Sequence, residues 1–232
     1  ARLAEQGHEL AKVSSCNCDL TLGESLNAFN GNAYEQIYHL AAWTRAGDFC
    51  LKHPGEQWII NQRINTNVLA WWQAYQPQAK LICLGTSLAY SADHDLVETN
   101  YFAGAPGQNH YAYAMTKRML QVGVLALHQQ FGLKYLCLVP STVYGPAYHT
   151  DGRPMHFIFD LSRKILRAQS RGEPVVLWGG GHQARDLIYV DDLVQIAVEL
   201  AARCENDLIN VGSGESFTIR QYAKIICAQT GY

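Results

Sequence analysis

The sequence predicts an α/β fold: a doubly wound parallel sheet with a smaller α/β lobe attached. Three observations predict it. Short apolar runs at 36–42, 80–85 and 133–139 alternate with long helical stretches at 55–75 and 113–130. Strands joined by crossovers of that length pair in parallel. From Gly145 onward the elements become shorter and glycine-rich loops separate them, which marks a second lobe. The chain of 232 residues, 48% hydrophobic and 16% charged, is large enough to bury a core of that size.

Taken in order, residues 1–7 read as the end of a helix closed by Gly7, and 8–13 as a short strand. A strand would ordinarily precede that helix, so the chain is expected to be truncated at its N-terminus. Thr21 and Glu24 fit a capping box that opens a helix through Phe29. Strand 36–42 ends in Ala41-Ala42, and helix 55–75 carries Asn61 and Asn67. Strand 80–85 leads to Thr86-Ser87, and strand 133–139 to Pro140-Ser141-Thr142. Beyond Gly145 come a polar loop at 148–153, a helix at 156–167 and a strand at 174–178. A run at 186–192 leads into a helix at 193–203, followed by a strand at 208–212. Thr218 and Gln221 form a second capping box for a helix to Gly231, and no finished C-terminal element follows.

Composition excludes several classes of function. A formal net charge of −2 gives no basic patch for nucleic acid. No apolar run nears the ~20 residues a membrane helix needs, and no signal peptide opens the chain. The seven cysteines are scattered, as free buried thiols of a reducing, cytoplasmic compartment would be. Cys16 and Cys18 lack a second pair, so no metal site is expected.

The chemistry centres on Tyr113 and Lys117. One helical turn apart, they share a face. An ammonium beside a phenol is expected to lower the tyrosine pKa and make it a general acid/base. In open α/β sheets ligands sit beyond the carboxyl ends of the strands. There Ala41-Ala42 leave room for a flat cofactor ring, and Thr86-Ser87 offer hydroxyls to a substrate oxygen. Thr86 to fix an oxygen, Tyr113 to protonate it and Lys117 to tune the tyrosine suit carbonyl reduction, with hydride from a cofactor.

His39-Leu40-Ala41-Ala42, Gly85 to Tyr90, Tyr113 to Lys117, Pro140 to Pro146 and Arg185 to Asp192 occur in an order that resembles a known family. It is the extended short-chain dehydrogenase/reductase family that modifies nucleotide sugars. Within it the likeness is greatest to the GDP-L-fucose synthases, through Leu84 to Ser87, Met155 to Ile158 ahead of Arg163 and Lys164, and Val176 to Gly179 ahead of Arg185. The resemblance implies a Rossmann-type fold. Residues 1–145 and 186–210 would form the NAD(P)-binding domain, and 146–185 and 211–232 the nucleotide-sugar lobe. It implies catalytic roles for Thr86, Tyr113, Lys117 and His156. Ala41, Ala42, Asn61, Gly85, Pro140 and Val143 would lie at the cofactor with Tyr113 and Lys117. Ser87, Thr142, Lys164, Trp178 and Arg185 would meet the substrate with His156. The cofactor would be NADP, with NAD the alternative; Ser14-Ser15, without an adjacent acid, lean to the phosphorylated form. The partner would be a GDP-linked sugar, and the protein a homodimer with Trp71, Trp72, Met115 and Met119 as candidate contacts. A 4-epimerase that retains NAD and a non-catalytic binding protein are the rival readings.

Two departures stand out. The family's glycine-rich phosphate loop would lie before Ala1. Leu88 occupies the position where the fucose synthases carry a catalytic cysteine, and leucine transfers no proton. Elsewhere the plainer reading leads. His39 is expected to be a satisfied core histidine, Asp191-Asp192 to cap and complement a helix dipole, and Cys204 and Cys227 to pack.

Overall fold

The computed structural model describes residues 2–149, 151–177 and 179–232. Its first half runs α1 (Arg2–Glu5), β1 (Gln36–His39), α2 (Phe49–Lys52), α3 (Pro54–Tyr75), β2 (Lys80–Leu84), α4 (Tyr111–Phe131) and β3 (Tyr135–Pro140). The second half adds β4 (Thr142–Tyr144), α5 (Phe157–Arg171), β5 (Ala184–Tyr189), α6 (Val190–Arg203), β6 (Asp207–Val211), β7 (Ser216–Thr218) and α7 (Ile219–Thr230).

The main sheet has the order β1-β2-β3-β6, and every pairing is parallel. Successive side chains of a strand point to opposite faces, and here both faces are covered. Leu81, Cys83, Tyr135 and Cys137 pack under Trp71 and Trp72 of α3 and Leu120 and Val124 of α4. Ile82, Leu136 and Leu138 pack against Leu193 and Ala201 of α6 on the other face. Helices on both faces make the sheet doubly wound, and they explain why β2 and β3 read as continuous apolar runs. Each fully buried Leu or Ile stabilises by roughly 1.5–3 kcal/mol. Pro54 at the first turn opens α3, and Gly132, at φ +69°, closes α4 in a left-handed cap.

A smaller sheet pairs β4 with β5 in parallel and β5 with β7 antiparallel. Segment 186–210 thus starts in the small sheet and ends in the large one. The Thr218–Gln221 capping box forms as expected.

Four expectations are corrected. Residues 8–13 form no strand; β1 pairs only with β2 among the described strands, so no ladder awaits them. Residues 174–177 form none either, since Val176 and Leu177 are exposed and bury no face. Thr21 does not cap a helix: its hydroxyl and amide both donate to Asp19 Oδ1, and a 3-10 helix runs over Gly23–Phe29 behind Leu22. Asp191 and Asp192 lie in the first turn of α6, where they complement the dipole, but Tyr189 holds the N-cap position.

Candidate active site

Parallel pairing brings the ends of β1, β2 and β3 to one edge of the main sheet. Ala41 and Ala42 follow β1 there and are half-buried. Asn61 of α3 reaches this loop, accepting from Trp43 N at 2.8 Å and donating to Trp43 O at 3.0 Å. Its amide is spent on backbone, so Asn61 holds the shape of the loop.

At the end of β2, Gly85 is buried. A Cβ on it would lie 2.8 Å from Val139 Cγ2 and 2.9 Å from Tyr101 Oη. Thr86 caps a 3-10 turn, Ser87–Ala89, with its hydroxyl accepting from Leu88 N at 3.3 Å. Ser87 and Leu88 are exposed, and α4 packs against this turn. Pro140, Thr142 and Val143 are half-buried at the end of β3 and in β4.

Helix α4 carries the Tyr113–Lys117 pair, and its electrostatics overturn one expectation. Burial pushes the Tyr113 phenol up to about 12, with the Cys50 thiol adding to the shift. The Lys117 ammonium does not offset this; it donates to Leu84 O at 2.9 Å. Lys117 is itself buried, and burial lowers its pKa. Beneath the pair, His39 Nε2 lies 3.0 Å from Asn65 Oδ1, whose amide donates to Thr116 O. Burial lowers the His39 pKa to about 4, so it is the neutral core histidine expected.

His156 holds the N-cap position of α5, but its side chain makes no capping bond. Its amide donates to Tyr148 Oη at 3.2 Å, and desolvation together with His149 lowers its pKa. The loop before it reaches the β1 edge, where Pro154 meets Gly47 so closely that a Cβ there would lie 2.8 Å from Pro154 Cβ. Lys164 pairs with Asp160 at 2.8 Å. Arg185 is exposed on β5 and donates to the carbonyl of its neighbour Ala184. Trp178 lies outside the described residues.

Sequence reasoning missed two features. The first is the segment between β1 and α3, where Trp43 packs on Phe49 at 4.7 Å and α2 packs against the turn that precedes α4. The second is Arg118, buried beside Lys117. Its signal was in the sequence: Ala114, Lys117, Gln121 and Val124 follow the spacing of a core stripe, and Arg118 falls within it.

The profile of the NAD dependent epimerase/dehydratase family matches residues 1–212. A protein from Oryza sativa subsp. japonica is 32% identical over 187 residues, which make up 77% of this chain and 53% of that protein. The GDP-L-fucose synthase of Dictyostelium discoideum is 29% identical over 222 residues, covering 92% of this chain and 68% of the relative. The chain thus spans about half to two thirds of the length of these relatives. The solved structure of a GDP-mannoheptose C4 reductase from Campylobacter jejuni with NADP bound superposes with a TM-score of 0.89 at 18% identity. It covers all of this chain and 80% of its own, and so shares the fold.

Proposed function

The chain belongs to the NAD-dependent epimerase/dehydratase family, and we propose that it reduces the 4-keto group of a GDP-linked 6-deoxyhexose with NADPH. The observation that carries this reading is the Tyr113–Lys117 helix packed against the turn that Thr86 caps, at the carboxyl end of β2. The intact Thr86, Tyr113 and Lys117 also weigh against a non-catalytic binding protein.

In this reading Thr86 holds the substrate oxygen and Tyr113 protonates it. The half-buried phenol carries the proton that the reduction consumes, and its raised pKa works against the transfer. The cofactor, when bound, supplies the hydride. The strand-end residues fit such a group. Ala41, Ala42 and Gly85 present little or no side chain, Pro140 and Val143 lie at the end of β3 and in β4, and Ser141 Oγ between them is buried without a partner among the described residues. His156, Lys164 and Arg185, with Trp178, Ser87 and Thr142, would face the sugar nucleotide. Among these, the exposed Arg185 fork suits a diphosphate.

Leu88 favours a second, narrower reading. Epimerisation beside a keto group needs a proton removed from one face and returned to the other. Leu88 is 40% exposed at the site loop and can do neither. Reduction would then proceed with epimerisation slow or confined to one carbon, with His156 as the single acid/base.

The homodimer reading is supported by Ile59, Met119 and Val122, exposed on α3 and α4. Trp71 and Trp72 are buried in the core and drop out as contacts. Free thiols buried at Cys83 and Cys137 suit the cytoplasm.

The test uses protein expressed from its complete reading frame, with GDP-4-keto-6-deoxymannose and NADPH in deuterated water. Oxidation of NADPH with a 4-hydroxy product supports the reading, and no oxidation counts against it. Full deuteration at both C3 and C5 would sink the single-acid reading.

A further inference from the structure

Arg118 is 7% exposed and pairs with no carboxylate among the described residues. Among the described residues its guanidinium donates only to backbone carbonyls. Nε and Nη2 donate to Ala89 O at 2.9 and 2.6 Å, and Nη2 also to Ala103 O at 3.0 Å. Nη1 donates to Gly104 O at 2.8 Å and to Phe102 O at 3.4 Å. Burying a cation without a counter-ion is costly, so this geometry needs a reason. A planar fork with five N–H donors serves carbonyls from two separate stretches of loop at once in fixed directions.

The neighbouring residue completes the pattern. Lys117 holds Leu84 O at 2.9 Å, and Arg118 holds Ala89 O. These carbonyls bracket Gly85, Thr86, Ser87 and Leu88. Within the turn the backbone closes short-range bonds, Ala89 N to Thr86 O at 3.1 Å and Tyr90 N to Ser87 O at 3.2 Å, and the Thr86 hydroxyl takes one long bond from Leu88 N at 3.3 Å; the two carbonyls held by α4 tie this turn to the helix. Consecutive residues of α4 therefore grip the turn at both ends, on the helix that carries Tyr113. The second stretch gripped, 102–104, closes the long loop that begins at Tyr90.

We propose that Arg118 is a positioning residue which, with Lys117, clamps the Thr86 turn and sets the Thr86 hydroxyl against Tyr113. This rests on the reductase reading above. A misplacement of about 1 Å costs on the order of 10²-fold in rate, so loss of the fork acts on kcat rather than on cofactor binding.

Two measurements on the protein from its complete reading frame decide it. The first is native-state hydrogen exchange of the wild type, which needs neither substrate nor variant. The amides of Leu88, Ala89 and Tyr90 should exchange as slowly as those of β2; free exchange there overturns the clamp. The second is a cycle on kcat. Arg118→Lys keeps the charge but loses the fork. It should lower kcat about 10- to 100-fold with the NADPH Kd within about 3-fold, and it should cost nothing further in a Thr86→Val background. An unchanged kcat, or an equal loss in both backgrounds, overturns the positioning role. A wild type that turns over no GDP-4-keto sugar refutes the reductase reading, and exchange alone then judges the clamp.

Discussion

Burial sets the chemistry of the residues around Tyr113. The phenol, pushed up to about 12, should hold its proton well past the ordinary tyrosine value of 10.0. Tyrosinate absorbance of the cofactor-free protein tests this. Wild type and Tyr113→Phe should titrate alike below pH ~10, and a phenol missing from the variant near neutral pH would show that Lys117 dominates after all. His39 gives a stability test with a definite sign. The unfolded chain takes up this proton near 6.5 and the folded chain only near 4. Between those values the unfolded state binds more protons, so the contribution is complete above 6.5 and is lost as pH falls through the window. The loss amounts to about 3 kcal/mol. Denaturant unfolding of wild type and His39→Gln should therefore show a stability gap that shifts by about that amount between pH 7 and 4; a constant gap contradicts it. The shared face of Tyr113 and Lys117 was legible by type and spacing, but the direction of the Tyr113 shift was not. The Tyr113–Lys117 spacing implies a shared face, whereas the depth of that face and the carbonyl that occupies Lys117 are set by β2, which lies far away in sequence.

At the scale of elements, two glycines meet different neighbours. Gly85 ends β2 against Val139 and Tyr101, both held in the core. Gly85→Ala overpacks that junction and should destabilise by about 1–3 kcal/mol. Gly123, within α4, meets only the tip of the Leu69 side chain. There the helix propensity gained, about 0.8–1 kcal/mol, offsets a small rotamer shift, so Gly123→Ala should be neutral or stabilising. Thermal unfolding of both variants checks the contrast, and equal losses would argue against the packing described. The long elements could be read because their patterns are long: β2 and β3 as continuous apolar runs, α4 through Gln130, α7 from its capping box. Strands β4 and β7 could not, because three residues carry no periodicity and their partner β5 is distant in sequence. The false strand at 174–177 shows the converse: Val175, Val176 and Leu177 have the composition of a strand but no sheet to join.

For the whole molecule, helices on both faces of one parallel sheet leave its carboxyl edge open, and the small sheet and the loop before α5 stand beside that edge. The outer face of α3 and α4 exposes Ile59, Met119 and Val122. If that face joins two copies, Val122→Asp should turn a dimer into a monomer by light scattering and leave the fold intact; a wild-type monomer would remove the dimer. If Tyr113 protonates the oxygen of a ketosugar during reduction, loss of its hydroxyl must slow the chemical step and spare cofactor binding. Single-turnover reduction of GDP-4-keto-6-deoxymannose by NADPH is followed for wild type and Tyr113→Phe, with NADPH affinity measured alongside. The expected result is a rate lower by ~10²–10⁴-fold with affinity retained. A variant that keeps half the wild-type rate would contradict the claim.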